Sequence, residues 1–385
     1  MNNRPRIYLD HAATSWPKSD AVTKAMVEFM QECGAAAGRG GYASAAVADR
    51  LITQTRRQIA SLVSAESSDA ITFHSNGTSA LNAAIHGVLR AGDHVVTCAA
   101  EHNSVLRPLR YLEQHSSVQL TVVPVDADGR VDAQQMLDAI DNDTRMVALT
   151  HASNVTGAVQ PVKEIASAIH DRATLFLCDA AQTFGILPVS VEGIDLLAAP
   201  GHKASGGPLG TAFLYVDPSI EDQVTPFIQG GTGSQSESME MPTGMPSKLE
   251  PGNLNVPALA GWSAALREIV DTGMDSRQQR GKELAERMNE SLSEIDGLSL
   301  YGHPDELPIA SVTVEGLSPI DLAAILDAEF RIETRAGMHC AAAIHACLGS
   351  EAEGTLRISA GIESTESELD AVAEAFRSIT ATMKI

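Results

Sequence analysis

From residue 71 onward the hydrophobic positions fall in short unbroken runs, separated by stretches with helical spacing. Ile71-Thr72-Phe73, His94-Val95-Val96-Thr97-Cys98, Leu120-Thr121-Val122-Val123, Met146-Val147-Ala148-Leu149 and Thr174-Leu175-Phe176-Leu177 read as strands. Helices are expected between them over residues 78–90, from Ser104, from Asp132 and after Pro161. Strands that are apolar at nearly every residue are buried on both faces of a sheet. Their alternation with helices implies crossover connections and a largely parallel sheet, closed by Thr211-Ala212-Phe213-Leu214-Tyr215-Val216. Residues 229–257 break the pattern. They are rich in Gly, Ser, Met and Pro and read as a long functional loop, because structureless segments of that length are otherwise uncommon in compact domains. A helix is expected from Ala258 to Val270, resuming after Met274. Strands near residues 298–300, 311–314 and 356–358 and helices over 319–329 and 365–382 complete a smaller α+β unit.

With 385 residues the chain is too long for one small core, which suggests two domains. The expected division is an N-terminal arm (1–20) that joins the smaller unit, a large domain (21–257) and a C-terminal domain (258–385). Acidic side chains number 49 against 27 basic ones, a net charge of −22. Such a chain repels nucleic acid and anionic membrane unless it carries a basic patch, and no Lys/Arg run is present. No apolar run reaches bilayer length. The segment Met1–Arg6 is followed by no apolar signal core, which argues for the cytoplasm. The five cysteines are odd in number and form no C-x-x-C pair, so reduced thiols are expected rather than a disulfide framework.

The chemistry-bearing segments lie where strands end, and in open parallel sheets ligands bind beyond those carboxyl ends. Ser75-Asn76-Gly77-Thr78-Ser79 offers small residues at a helix start, either a phosphate seat or an ordinary capped helix. No nucleotide P-loop is present. Gly38-Arg39-Gly40-Gly41-Tyr42-Ala43 matches a dinucleotide pattern but lacks the preceding strand. Asp179 closes an apolar strand, as a helix cap or as the partner of a cationic heterocycle. Lys203 follows the apolar Leu196-Leu197-Ala198-Ala199 within Pro200-Gly201-His202-Lys203-Ala204-Ser205-Gly206-Gly207. It is either a solvated amine or a desolvated, reactive one. Glu101-His102-Asn103-Ser104 and His151-Ala152-Ser153-Asn154-Val155-Thr156-Gly157 stand at two further strand ends. In the second unit, Arg335-Ala336-Gly337-Met338-His339-Cys340-Ala341 places a cysteine among basic neighbours, a setting for a nucleophilic sulfur or for a small buried hydrophobe. His339, Cys340, His345 and Cys347 fit no common zinc spacing, so no metal is expected.

In this order the segments resemble the pyridoxal phosphate (PLP)-dependent class V aminotransferase family, in its cysteine desulfurase and selenocysteine lyase branch. The resemblance runs from Tyr8-Leu9-Asp10-His11-Ala12-Ala13-Thr14 to the C-terminus. Its most specific parts are Asp179-Ala180-Ala181-Gln182, Gly201-His202-Lys203 and the segment around Cys340. It implies PLP fold type I, with a mainly parallel seven-stranded sheet in the large domain and a smaller α+β C-terminal domain. It further implies that Lys203 holds the cofactor covalently and acts as the base, and that Asp179 pairs with the pyridine nitrogen. His102 would stack on the ring, Gln182 and Asn154 would bond its phenolic oxygen, and Gly77, Thr78 and His202 would hold the phosphate. Arg357 would clamp the substrate carboxylate, with Asn154 and Arg39 as further substrate contacts. Cys340 would take sulfur from L-cysteine as a persulfide, leaving L-alanine. A homodimer with shared sites and a sulfur-acceptor protein complete the implied partners.

Three features depart from the family pattern. Pro200 stands where many relatives carry Ser or Thr. Glu250-Pro251-Gly252-Asn253 replaces a Glu-x-Gly-Thr whose threonine reaches the neighbouring subunit's phosphate, leaving Asn253 or Thr232 for that contact. The loop over residues 230–245 is longer and richer in Ser and Met. Competing readings are selenocysteine lyase, a class V aminotransferase or β-lyase acting on another amino acid, and a scaffold protein without cofactor. Lys203, Asp179 and His102 together argue against the last.

Overall fold

The computed structural model describes residues 5–38, 40–170, 173–233, 237–350 and 352–383. Seven strands form the main sheet, in the order Ile71–His74, Ala212–Val216, Leu196–Pro200, Leu175–Asp179, Thr144–Thr150, His94–Cys98, Gln119–Val123. All neighbours run parallel except Ala212–Val216, which is antiparallel to both of its partners. The apolar runs explain why the sheet is covered twice. Val96, Val147, Leu149, Phe176, Cys178 and Leu197 feed one core, while Val95, Met146, Ala148, Leu175, Leu177 and Leu196 feed the other. The segment Leu196–Pro200, read from sequence only as an apolar run, is an interior strand. The helices run over Gly77–Val88, Asn103–Ser116, Ala133–Asp138 and Val162–Ile169, starting within a residue of the sequence expectation, and the first ends two residues before residue 90.

Two helices that the sequence reading left unassigned, Asp20–Glu28 and Ala43–Leu62, pack against the helix Val256–Thr272. The buried face of that last helix belongs to the large-sheet core, and the division expected at residue 258 falls within it. Trp262 is fully buried there, with its ring 6.3 Å from those of Phe73 and Phe213. Residues 229–255 contain one short turn of 3-10 helix, Ser247–Leu249, and are otherwise irregular among the described positions. A buried ion pair fastens the end of this segment. Arg56 holds Glu250 at 2.8 and 3.0 Å, and Glu250 Oε1 accepts the Phe73 amide at 2.6 Å. A buried pair with its remaining valences met fixes register, because breaking it strands a charge away from water.

The second unit is a four-stranded antiparallel sheet in the order Arg335–Gly337, Thr355–Ser359, Ile309–Val314, Leu298–Tyr301. Helices Met274–Ser293 and Glu366–Met383 contribute Leu284, Met288, Val372 and Phe376 to its core. The N-terminal Ile7–Tyr8 pairs in parallel with Ile332–Glu333, and Leu9 lies in the same core. The chain start therefore belongs structurally to the second unit. It also carries Asp10 to the junction between the two sheets, where the strand ends of the first face Thr355–Ser359 of the second.

Candidate active site

A cavity of about 200 Å³ opens at the carboxyl ends of the parallel strands. Gly77, Thr78, His102, Asn154, Asp179, Gln182, His202, Lys203 and Arg357 all line it. Nine positions singled out in the sequence, spread over nearly three hundred residues, thus meet in one place. Cys340 is exposed beside it, tied in through Arg335, which lines the cavity and donates from Nη2 to Cys340 Sγ at 3.4 Å. Asn253 does not line this cavity. It lines a neighbouring one with His74, Ser75 and Gly210. Arg39 lies outside the described residues.

Each side chain is placed by a local feature. Lys203 sits on a tight loop whose entry is fixed by Gly201: a Cβ there would stand 2.7 Å from the indole of Trp262. Only glycine lets the backbone pack that closely. Asp179 ends its strand with Oδ1 accepting the Ala181 amide at 2.9 Å. Asn76 caps the helix that begins at Gly77 through a capping box that takes the Ser79 amide, which leaves the amides of Gly77 and Thr78 for an acceptor outside the helix. His102 Nδ1 accepts the Ser104 amide at 3.0 Å, so the ring proton resides on Nε2. The Ser104 hydroxyl continues the chain to Thr78 Oγ1 at 2.7 Å.

Burial dominates the electrostatics. Lys203 is lowered to about 8 by desolvation, partly opposed by Asp179. Asp179 is pushed up by burial, opposed by Lys203 and the Ala181 amide. His102 and His202 are each lowered to about 4, chiefly by burial and secondly by the Lys203 charge, and are neutral at pH 7. The guanidinium of Arg357 is 1% exposed and lowered by burial, offset by Asp10. It donates to Asp10 Oδ1 at 2.6 Å and to the Asn154 carbonyl at 3.0 Å, and its Nε has no partner.

The segment carrying Cys340 is a strained turn. His339 and Cys340 both have left-handed backbones, φ +49° and +58°. Each costs about 1–2 kcal/mol for a residue with a Cβ. Three bonds hold the turn: Asn154 Nδ2 to the His339 carbonyl (2.7 Å), the Asn103 amide to the Cys340 carbonyl (2.6 Å), and His339 Nε2 to Thr355 (3.0 Å). His345 Nδ1 is committed to Ser350, and among the described residues no His/Cys/Asp/Glu group could hold a metal ion. No helix among them is long and apolar enough to cross a membrane.

Asp10 and Ser104 are site neighbours to which the sequence motifs assign no role, and Arg335 and His339 enter there only as basic neighbours of Cys340. Asp10 and Arg335 stood inside the quoted motifs, but their partners became visible only once the two sheets met. Glu101 is fully buried and is pushed far up by burial and by Asp179. One of its carboxyl oxygens accepts the Thr150 amide and the other has no partner.

Strand-end loops of an open α/β sheet that converge on a half-buried lysine and a buried aspartate define a site of the aminotransferase type. The aminotransferase class-V family model matches residues 7–372, and the chain belongs to that family. Within it, the chain is 36% identical over 384 residues to the probable cysteine desulfurase of Methanothermobacter thermautotrophicus, covering 98% of this chain and 95% of that one. Among solved structures it is similar to the apo cysteine desulfurase of Thermococcus onnurineus (29% identity, TM-score 0.90). It is also similar to the cysteine desulfurase CsdA of Escherichia coli (27% identity, TM-score 0.88). In both cases 98% of this chain and 95% of the other are covered.

Proposed function

We propose that the chain is a pyridoxal phosphate-dependent cysteine desulfurase that converts L-cysteine to L-alanine and a persulfide on Cys340. One observation carries the reading: a single cavity collects a half-buried lysine, a buried aspartate and a neutral histidine, and an exposed cysteine stands at its rim.

The donor set suits the cofactor. A buried carboxylate such as Asp179 calls for a cation opposite, which a protonated ring nitrogen supplies. His202 Nδ1 is buried without a partner, and beside it the helix start at Gly77 and Thr78 offers amides to a phosphate. Pro200 packs 3.4 Å from where a Gly77 Cβ would stand, so this phosphate seat has no hydroxyl at position 200. When bound, pyridoxal phosphate supplies an aldehyde for amine attachment and a ring that withdraws electrons from the substrate's α-carbon.

The remaining roles belong to the chain. Lys203, partly neutral near pH 8, attaches the cofactor and then takes the α-proton. Arg357 receives the substrate carboxylate through its planar fork, exchanging Asp10 or sharing with it. Gln182 and Asn154 orient the ring oxygen, and the neutral His102 offers its flat face. The Cys340 sulfur forms an S–S bond to the substrate sulfur as the substrate C–S bond breaks. The electron pair of that bond stays on carbon, which gains a proton and leaves as alanine. The persulfide then passes to an acceptor thiol. The turn around Cys340 is short and tied down, so turnover on cysteine alone is expected to be slow and to rise with an acceptor protein or strong reductant. Equal rates with and without acceptor count against this.

A homodimer is part of the proposal. Phe227, Ile228 and Met239 are exposed on and beside the 229–257 segment, apolar side chains that an interface would cover. The deciding experiment adds pyridoxal phosphate to purified protein and measures visible absorbance, sulfide and alanine together. The expected result is a coloured protein releasing sulfide and alanine one for one, with Cys340→Ser retaining colour but releasing no sulfide. A colourless protein, or alanine without Cys340-dependent sulfide, refutes the assignment.

A further inference from the structure

A second cavity, of about 510 Å³, lies on the other side of the lysine loop. His202 and Lys203 line the catalytic cavity, whereas Ala204, Ser205 and Gly206 line this one; Ala12 and Gln182 line both. Two cations stand in its wall. Lys18 Nζ donates to Ser15 Oγ at 2.6 Å and to the His202 carbonyl at 2.8 Å. Arg277 donates from Nε to the Gly185 carbonyl at 2.6 Å and from Nη2 to the Ala204 carbonyl at 2.8 Å. The carbonyls on either side of Lys203 are thus held by cations that face a different space.

These two charges are balanced differently. Glu268 and Glu363 line the cavity and both act on Arg277. Burial lowers Lys18 to about 8, and its ammonium forms no ion pair among the described residues, so it is largely a cation at neutral pH held only by neutral oxygens. Two of its three ammonium protons are used, which leaves one. His11 is lowered to about 4, chiefly by burial, and is neutral. Most of the remaining wall is apolar. A half-buried cation lacking an anion beside an apolar chamber is complementary to a small organic acid.

We propose that this cavity binds a small carboxylic acid with an apolar body, its carboxylate on Lys18 and its hydrocarbon part against Trp16, Ile186, Leu307 and Ile309. The inference goes beyond the reaction proposed above and does not require it. A bound acid would share Lys18 with the carbonyl next to Lys203, so occupancy reaches the catalytic loop through one hydrogen bond.

The test is calorimetric titration of 4-methylpentanoate and of benzoate into the full protein at pH 7 with pyridoxal phosphate present. Both acids should bind, while 3-methylbutylamine should not. Binding should weaken about tenfold or more in Lys18→Met, the loss of one charge-assisted bond. It should weaken similarly in Thr272→Trp, which narrows the cavity mouth at an exposed position and decides the matter if Lys18→Met does not fold. Arg357→Gln, which removes the guanidinium of the catalytic cavity, should leave binding in place. Absence of binding by either acid, binding lost in Arg357→Gln, or binding unchanged in Thr272→Trp overturns the proposal.

Discussion

Lys203 and Cys340 are the two nucleophiles of the proposed reaction, and their surroundings are opposite. Lys203 is wrapped by a glycine-rich loop over Trp262 and faces a buried carboxylate. Cys340 is exposed on a strained turn with one guanidinium at its sulfur. The difference shows how one site divides its work. An amine that must be neutral to react gains from desolvation, which disfavours its charged form. A sulfur that must hand its cargo to another molecule has to remain within reach of solvent. The large sheet supplies the first environment and the small sheet the second.

Variants can break this contrast one side at a time. Lys203→Ala removes both attachment and base, and sulfide release should fall by about 10⁴-fold or more, read as sulfide and alanine produced per minute. Cys340→Ser should lower sulfide release by about 10³-fold while leaving cofactor absorbance unchanged, which separates exposed chemistry from buried chemistry. A titration sharpens the buried side. With Lys203 near 8, its neutral fraction rises about tenfold between pH 7 and pH 9. The rate at which cofactor-free protein captures pyridoxal phosphate should rise over that window and then level, identically in Cys340→Ser. A capture rate flat across pH 7–9 contradicts the desolvated amine. The smallest effect is expected from Asp10→Asn, which removes the carboxylate at Arg357. KM for cysteine should change by several-fold with kcat nearly constant, because Arg357 binds the carboxylate equally before and during reaction.

The sequence showed the buried half of this site more fully than the exposed half. Apolar runs ending in Asp179, or preceding Lys203, signal strands buried on both faces, and strand ends are where ligands sit. Six of the seven strands, and the placing of His102, Asn154 and Asp179 at strand ends, follow from that logic, whereas the seven-stranded sheet comes from the family resemblance. What eluded it was long-range pairing: Asp10 with Arg357 across 347 positions, and Asn154 with the His339 carbonyl across 185. No local pattern encodes a contact between two units. The left-handed turn at His339-Cys340 was equally hidden, since neither residue type announces positive φ. The helices over 20–28 and 43–62 were unassigned because the apolar runs that guided the reading begin at residue 71.

The hydrogen bond from the Asn103 amide to the Cys340 carbonyl joins the residue after His102 to the main chain of Cys340. Together with Asn154 and His339 it acts as a latch between the two lobes. A movement that parted the two lobes here would have to break both bonds, and with them the tie between the Cys340 main chain and the start of the helix that follows His102.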